Sequence, residues 1–156
     1  MAAFIRMRRD LVAPIEPTVW PPGFAPCPFD RSQAPALHAL LAQAYADGGG
    51  AIGPMAEWRA ALFADPEFDP NSIFLARGPS GALAGAVHTW TGGFIKDVAV
   101  DRAARRRGLA SALLLTAFAE YRRRGFRAID LKVRPDNRAA IQLYGSLGMA
   151  PAPAYA

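Results

Sequence analysis

Between Phe94 and Val133 the hydrophobic period changes twice, and this constrains the fold more than any other feature of the chain. Phe94 to Val100 reads as a strand. From about Gly108 to Arg124 the period is helical, with Leu109, Leu113, Ala117 and Tyr121 on one stripe and Gly125 where a C-terminal cap belongs. Ala128 to Val133 alternates again, with Ile129, Leu131 and Val133 on one face and Asp130 and Lys132 on the other. A strand, a crossover helix and a second strand make a β-α-β unit, so the two strands are expected to lie parallel.

The neighbouring segments extend this unit. Ser72 to Ala76 and Leu83 to Trp90 read as strands around a Pro79-Ser80-Gly81 turn, and Thr91-Gly92-Gly93 as a tight reversal into 94–100. Those three strands are expected to form an antiparallel meander. Upstream, a helix over about 35–46 carries Leu37, Leu40, Leu41 and Ala44 at helical spacing. Asp30 or Ser32 can cap it and Gly48-Gly49-Gly50 ends it. A second helix over 55–64 places Trp58, Ala61 and Leu62 together. The last helix, about 138–147, shows Ala140, Leu143, Tyr144 and Leu147 in the i, i+3, i+4, i+7 pattern and stops at Gly148. The order predicts a single-domain α/β fold: a mixed central sheet, antiparallel meander plus a parallel pair, flanked by helices.

The ends read differently. Residues 1–22 hold Pro14, Pro17, Pro21 and Pro22 without a clear period and are expected to be an arm. Phe24 to Phe29 is expected to be a short strand that Pro26 and Pro28 confine to an edge. The main domain is then 23–150, with 151–156 a short tail in which Pro151 and Pro153 oppose a normal strand. The sheet edge there is expected to be open, covered by the proline arm, or covered by a partner subunit in a homodimer.

Composition narrows the class. A chain of 156 residues suits one domain, and 52% hydrophobic residues exclude wholesale disorder. Apolar runs fall well short of the roughly 20 residues that span a bilayer. MAAFIRMRRD is positive but leads into no apolar stretch, so neither a signal peptide nor a membrane partner is expected. Cys27 is the only cysteine, which excludes an internal disulfide and a metal site built on several thiolates. A cytoplasmic location is expected. The net charge of +5 comes mostly from arginine, since only Lys96 and Lys132 are lysines. Clusters at Arg105-Arg106-Arg107 and Arg122-Arg123-Arg124 suit phosphate-bearing partners, either nucleic acid or a nucleotide cofactor.

The sharper cluster is Arg105-Arg106-Arg107-Gly108-Leu109-Ala110, which follows a strand and opens a helix. The first amides of a helix lack internal partners, and its dipole makes that end positive. Gly108 lets the backbone approach a ligand, so the segment reads as a phosphate cradle, or else as a solvated basic turn in which Gly108 serves only the turn. Arginines at this end oppose the dipole by roughly 0.3–1 kcal/mol each when exposed. A bound diphosphate reverses that sign, so neutralising Arg105 and Arg107 is expected to raise the ligand-free stability or leave it almost unchanged.

The segment VAVDRAARRRGLASALL resembles the acetyl-CoA signature of the GNAT superfamily of N-acetyltransferases. Arg105, Gly108 and Ala110 fill that pattern. VRPDNRAAIQLYGSLGM resembles the second family block through Asn137, Ala140, Tyr144 and Leu147-Gly148. The resemblance covers about 72–149, and residues 19–63 look more loosely like domains related to mycothiol synthase. It implies that acetyl-CoA is the co-substrate, without a metal, and that an amine is the acceptor. Backbone groups of Val98, Ala99 and Val100 would pair with the pantetheine arm like an added strand. Amides from Arg106 through Leu109 and Ala110 to Ser111 would hold the pyrophosphate. The sheet would splay between 94–100 and 128–133, and Asn137 and Ala140 would lie at that slot, with Asn137 or Asp136 also able to cap the helix. Tyr144 would protonate the departing thiolate; from its spacing alone it reads as a core tyrosine.

The general base is less defined. Positions where relatives carry a Glu hold Phe94 and Lys132 here, which argues against a peptide-terminus acceptor. Asp97 and His88 remain as candidates acting through water, although each also reads as a packed or ion-paired residue. Trp58, Phe63 and Trp90 can line an acceptor pocket or simply pack. Two further readings are a non-catalytic acyl-CoA-binding module and an arginine-driven nucleic-acid binder, the latter without a recognisable binding motif.

Overall fold

The computed structural model describes residues 3–48 and 51–153. The elements in chain order are β1 (Ile5–Asp10), β2 (Ala25–Cys27), α1 (Ala34–Asp47), α2 (Met55–Ala64), β3 (Ile73–Arg77), β4 (Leu83–Trp90), β5 (Phe94–Val100), α3 (Leu109–Arg123), β6 (Ala128–Val133), α4 (Arg138–Ser146) and β7 (Ala150–Pro151). Among the described residues the strands form one sheet in the order β2-β3-β4-β5-β6-β1-β7. The expected meander is β3-β4-β5, antiparallel throughout, and β5 and β6 are parallel. β2 is the edge strand that Pro26 requires. Gly48 caps α1 as expected, while Gly49 and Gly50 lie outside the described residues, as do Met1, Ala2 and 154–156.

Two expectations about the ends need correction. Ile5–Asp10 form no loose arm; they pair with β6 along its length, from Ile5–Val133 to Asp10–Ala128. Their period is masked because Arg9 occupies a core-facing position. Its guanidinium donates to Leu147 O at 2.7 Å and to Glu16 at 2.7 Å, and lies 5.5 Å from the Phe118 ring centroid, so the buried charge is satisfied. The residues after α4 also form a strand: Ala150–Pro151 pair with Arg8 and Met7 of β1. A strand this short at an outer edge tolerates Pro151, whose missing N–H need not serve a ladder.

The sheet is covered unequally. α1 lies over β4 and β5 on one side, and α3 lies over β3, β4, β5 and β6 on the other. α3 buries Leu109, Leu113, Ala117 and Tyr121, the stripe read from the sequence, together with Ala112, Leu114, Leu115 and Phe118. Full burial of each leucine contributes roughly 1.5–3 kcal/mol. Gly85 of β4 lets α3 come this close: a Cβ there would sit 2.8 Å from Leu113 and 3.1 Å from Leu109. The start of α3 is thereby fixed beside β5.

Candidate active site

β5 and β6 pair only at Phe94–Asp130 and Ile95–Leu131, and beyond that point the strands separate. A slot of about 760 Å³ opens there. Val98, Ala99 and Val100 line it from β5, Arg105, Arg106, Gly108, Leu109, Ala110 and Ser111 from the α3 entry, and Asn137, Ala140 and Tyr144 from α4. These are the residues that the sequence reading assigned to the cofactor, with one exception. Arg107 does not line the slot; its guanidinium lies 5.9 Å from the Phe24 ring centroid.

The α3 entry has the backbone of an anion cradle. Arg106 and Gly108 both have positive φ, +62° and +87°. Gly108 is the N-cap and supplies no side-chain cap, and a Cβ there would meet nothing within 4 Å. The first intrahelical bond runs from Ala112 N to Gly108 O at 3.1 Å, so the amides of Leu109, Ala110 and Ser111 leave the helix end free to donate. This arrangement fits a pyrophosphate.

Charge crowding at this end is smaller than the triple arginine suggests. Arg105 turns back into the protein: its Nε donates to Val100 O at 2.9 Å and its Nη2 meets Asp47 at 2.8 Å. Arg102 bonds the same carboxylate, and with Arg105 holds the Asp47 carboxyl down at about 2. Asp47, at the end of α1, had no local signal that could have marked it, because its partners lie on another element.

Tyr144 is buried at 9% exposure, and its hydroxyl has no hydrogen-bond partner among the described residues. Burial pushes the phenol up to about 12, so it stays protonated at neutral pH. Asn137 caps α4, its Oδ1 accepting from Ala140 N at 3.2 Å, and it also lines the slot.

Asp97 and His88 are brought together, but away from the slot lining. The register between β4 and β5 shifts at His88/Thr89, which leaves Lys96 as an extra residue in β5. This bulge reverses the alternation. Ile95 packs with the α3 core and Ala99 with the α1 core, and Asp97 turns to α1 as well. There it accepts from Tyr45 Oη at 2.5 Å and from Lys96 Nζ at 3.3 Å, and lies 3.4 Å from His88 Nδ1. Burial pulls the Asp97 carboxyl up, but the His88 hydrogen bond, the Lys96 charge and the Tyr45 bond together outweigh it and hold it below the usual range. His88 Nε2 is buried without a protein partner among the described residues. Tyr45 was missed in the sequence; the adjacent polar pair Lys96-Asp97 in an apolar strand was the available signal for the bulge.

The aromatic candidates mostly pack. Trp58 meets His38 with ring centroids 5.2 Å apart, and Phe63 meets Phe68 at 5.2 Å. Trp90 stands beside His88 at 4.6 Å. None of the three lines the slot.

Comparison with known proteins agrees with this geometry. A mycothiol acetyltransferase from Thermobispora bispora is 34% identical over 94% of this chain, and the chain spans only 53% of that relative's length. A GCN5-related N-acetyltransferase from Sphaerobacter thermophilus superposes with a TM-score of 0.79 at 28% identity, over 96% of this chain and 48% of that one. The ribosomal-protein-S18-alanine N-acetyltransferase from Escherichia coli gives a TM-score of 0.64 at 25% identity, over 80% of this chain and 76% of its own. The family model described as the acetyltransferase (GNAT) family matches residues 34–149, which include α1, the slot and α4. With its two blocks on either side of a splayed β5–β6 pair, the chain belongs to the GNAT acetyltransferase family.

Proposed function

We propose that this chain moves an acetyl group from acetyl-CoA to a primary amine in the cytoplasm, by direct attack of the amine on the thioester. The observation that carries this is the slot between β5 and β6, where unbonded strand backbone, free helix amides and the Tyr144 hydroxyl meet. Acetyl-CoA is a substrate here, not a resident group.

Each residue then has a definite task. The open edge of β5 at Val98 to Val100, apart from the Val100 carbonyl that Arg105 holds, offers backbone groups to an extended amide-bearing chain. The Arg106 to Ser111 amides receive phosphate. The amine nitrogen bonds to the carbonyl carbon, the carbon–sulfur bond breaks, and Tyr144 gives its proton to the departing sulfur. A phenol pushed up to about 12 is a weak acid, but burial also raises the basicity of a thiolate, so the transfer stays near balance. The nitrogen, cationic once acylated, gives its extra proton to water as the amide forms, and Tyr144 regains a proton from solvent. The ammonium form of the acceptor loses its proton through water to the Asp97–His88 pair. A carboxylate held below the usual range is a modest base, so the acceptor's own ionisation governs the pH profile.

Release of free CoA across a panel of amines tests the reading directly. Acetylated product with CoA released in equal amount is expected for at least one class of amine. Tight CoA binding without turnover on any amine would make the chain an acyl-CoA-binding module instead.

A further inference from the structure

The side of the sheet that α1 leaves bare carries a charge arrangement that the donor slot does not use. Alternation along β1 and β6 puts Met7, Ile129, Leu131 and Val133 into the α3 core. Arg6, Arg8, Asp130 and Lys132 therefore stand on the opposite face. In the antiparallel register Arg6 is directly opposite Lys132. Like charges in that position destabilise a strand pair.

Among the described residues, Asp130 supplies its carboxylate to both arginines. Asp130 takes Arg6 Nε at 2.6 Å and Arg8 Nε at 2.7 Å. Among the described residues Lys132 has no partner, and the terminal Nη1 and Nη2 of Arg6 have none either. Arg6 is nevertheless held still. Its Nε is fixed by Asp130, and its guanidinium lies 5.4 Å from the Phe94 ring centroid. A guanidinium held by one edge and free at its fork is pre-organised for a carboxylate.

The position matters as much as the charge. Leu131 is the last β6 residue paired with β5, so Lys132 is the first residue beyond the point where the strands part. Tyr144, Asn137 and Val98 line the opening around the donor slot, and the Arg6–Lys132 pair stands at its apex on the other face of the sheet. We infer that Arg6 and Lys132 form an acceptor subsite for a carboxylate, so that the amine acetylated by this chain is an amino acid or another carboxylate-bearing amine. This rests on the acetyl-transfer reading above.

The test uses ω-amino acids of two to six carbons against their carboxamides, with the same chain loaded with acetyl-CoA for rates and with CoA for calorimetry. In the wild-type chain, kcat/KM for at least one acid is expected to exceed that for its amide by about 10- to 100-fold, and binding to follow the same order. Arg6→Gln and Lys132→Gln should each lower that acid-to-amide ratio about tenfold, mainly through KM, with Arg6→Lys falling between. CoA affinity reports folding of each variant, and the exposed Lys132 carries the test if an Arg6 variant misfolds. Preference for amides across the series, a ratio unmoved by the substitutions, or no binding of any acid overturns the inference. Acid-selective binding without any CoA release sustains the carboxylate subsite and overturns acetyl transfer.

Discussion

Strand β5 has two unlike edges. Toward β4 it is paired from Phe94–Trp90 to Val100–Gly85, interrupted only by the bulge at Lys96. Toward β6 it is paired at Phe94 and Ile95 alone. The first edge spends its backbone on the fold, and the bulge within it turns Asp97 into a buried, fully tied carboxylate. The second edge leaves backbone groups unmade beside a slot, which is where a substrate can complete them. The closed edge thus serves mainly stability, with Asp97 taking a proton only through water, and the open edge holds the substrate, so substitutions on each side should separate in what they change.

The largest effect belongs to the open edge. Tyr144→Phe is expected to lower turnover by about 10²–10⁴-fold while CoA affinity holds, as read by steady-state rates with calorimetry. With the phenol pushed up to about 12, its proton is lost only as pH rises toward that value, so the wild-type rate should show no alkaline fall below pH ~10. Undiminished chemistry in the variant would remove Tyr144 from the mechanism and leave it a core residue.

The closed edge should behave in the opposite way. Asp97→Asn is expected to cost about 2–3 kcal/mol in denaturant unfolding, because Lys96 and His88 lose their shared anion. Activity should be reduced but measurable. Asp97 is held below its ordinary value, so its contribution is present above the usual carboxylate range and is lost as pH falls through the folded value. The variant should therefore flatten the acid side of the stability curve. Complete loss of turnover with folding intact would make Asp97 the obligatory base and blur the division.

Ligand linkage probes the open edge without mutation. CoA should add about 2.7 kcal/mol of stability at a hundredfold excess over its dissociation constant. Inorganic pyrophosphate should raise the melting temperature weakly, and pantetheine without phosphates much less than CoA. Equal effects of CoA and pantetheine would detach the α3 entry from binding.

Arg105→Gln is the smallest and the most discriminating change. Crowding at a helix N-terminus predicts that the ligand-free melting temperature rises. The bonds of Arg105 to Val100 O and Asp47 predict a slight fall, together with a smaller CoA effect. A thermal melt with and without CoA decides between them.

Much of the fold was legible because its signals are local. The helical stripe of α3, the turn at Thr91-Gly92-Gly93 and the alternation of β6 each lie within a few residues, and each element formed where its period placed it. The slot residues were named through the resemblance of two blocks to the GNAT family, and those blocks flank one β-α-β unit whose handedness and parallel strands fix their relation. β1 was hidden because Arg9 fills a core position with a charge that Leu147 O, Glu16 and the Phe118 ring make tolerable.

The sequence by itself determined the elements from β2 to α4, the parallel pair and the glycine-led start of α3. Only the tertiary structure decided which distant side chains complete them: Tyr45 with Asp97, 52 residues apart, and Arg6 with Asp130, 124 apart. It also set Asp47 against Arg105 and Arg6 against Lys132. Periodicity and caps act through i to i+4 neighbours and are written in order along the chain. Ion pairs across the sheet depend on strand order and register, and here a single inserted residue, Lys96, turned the following side chains over.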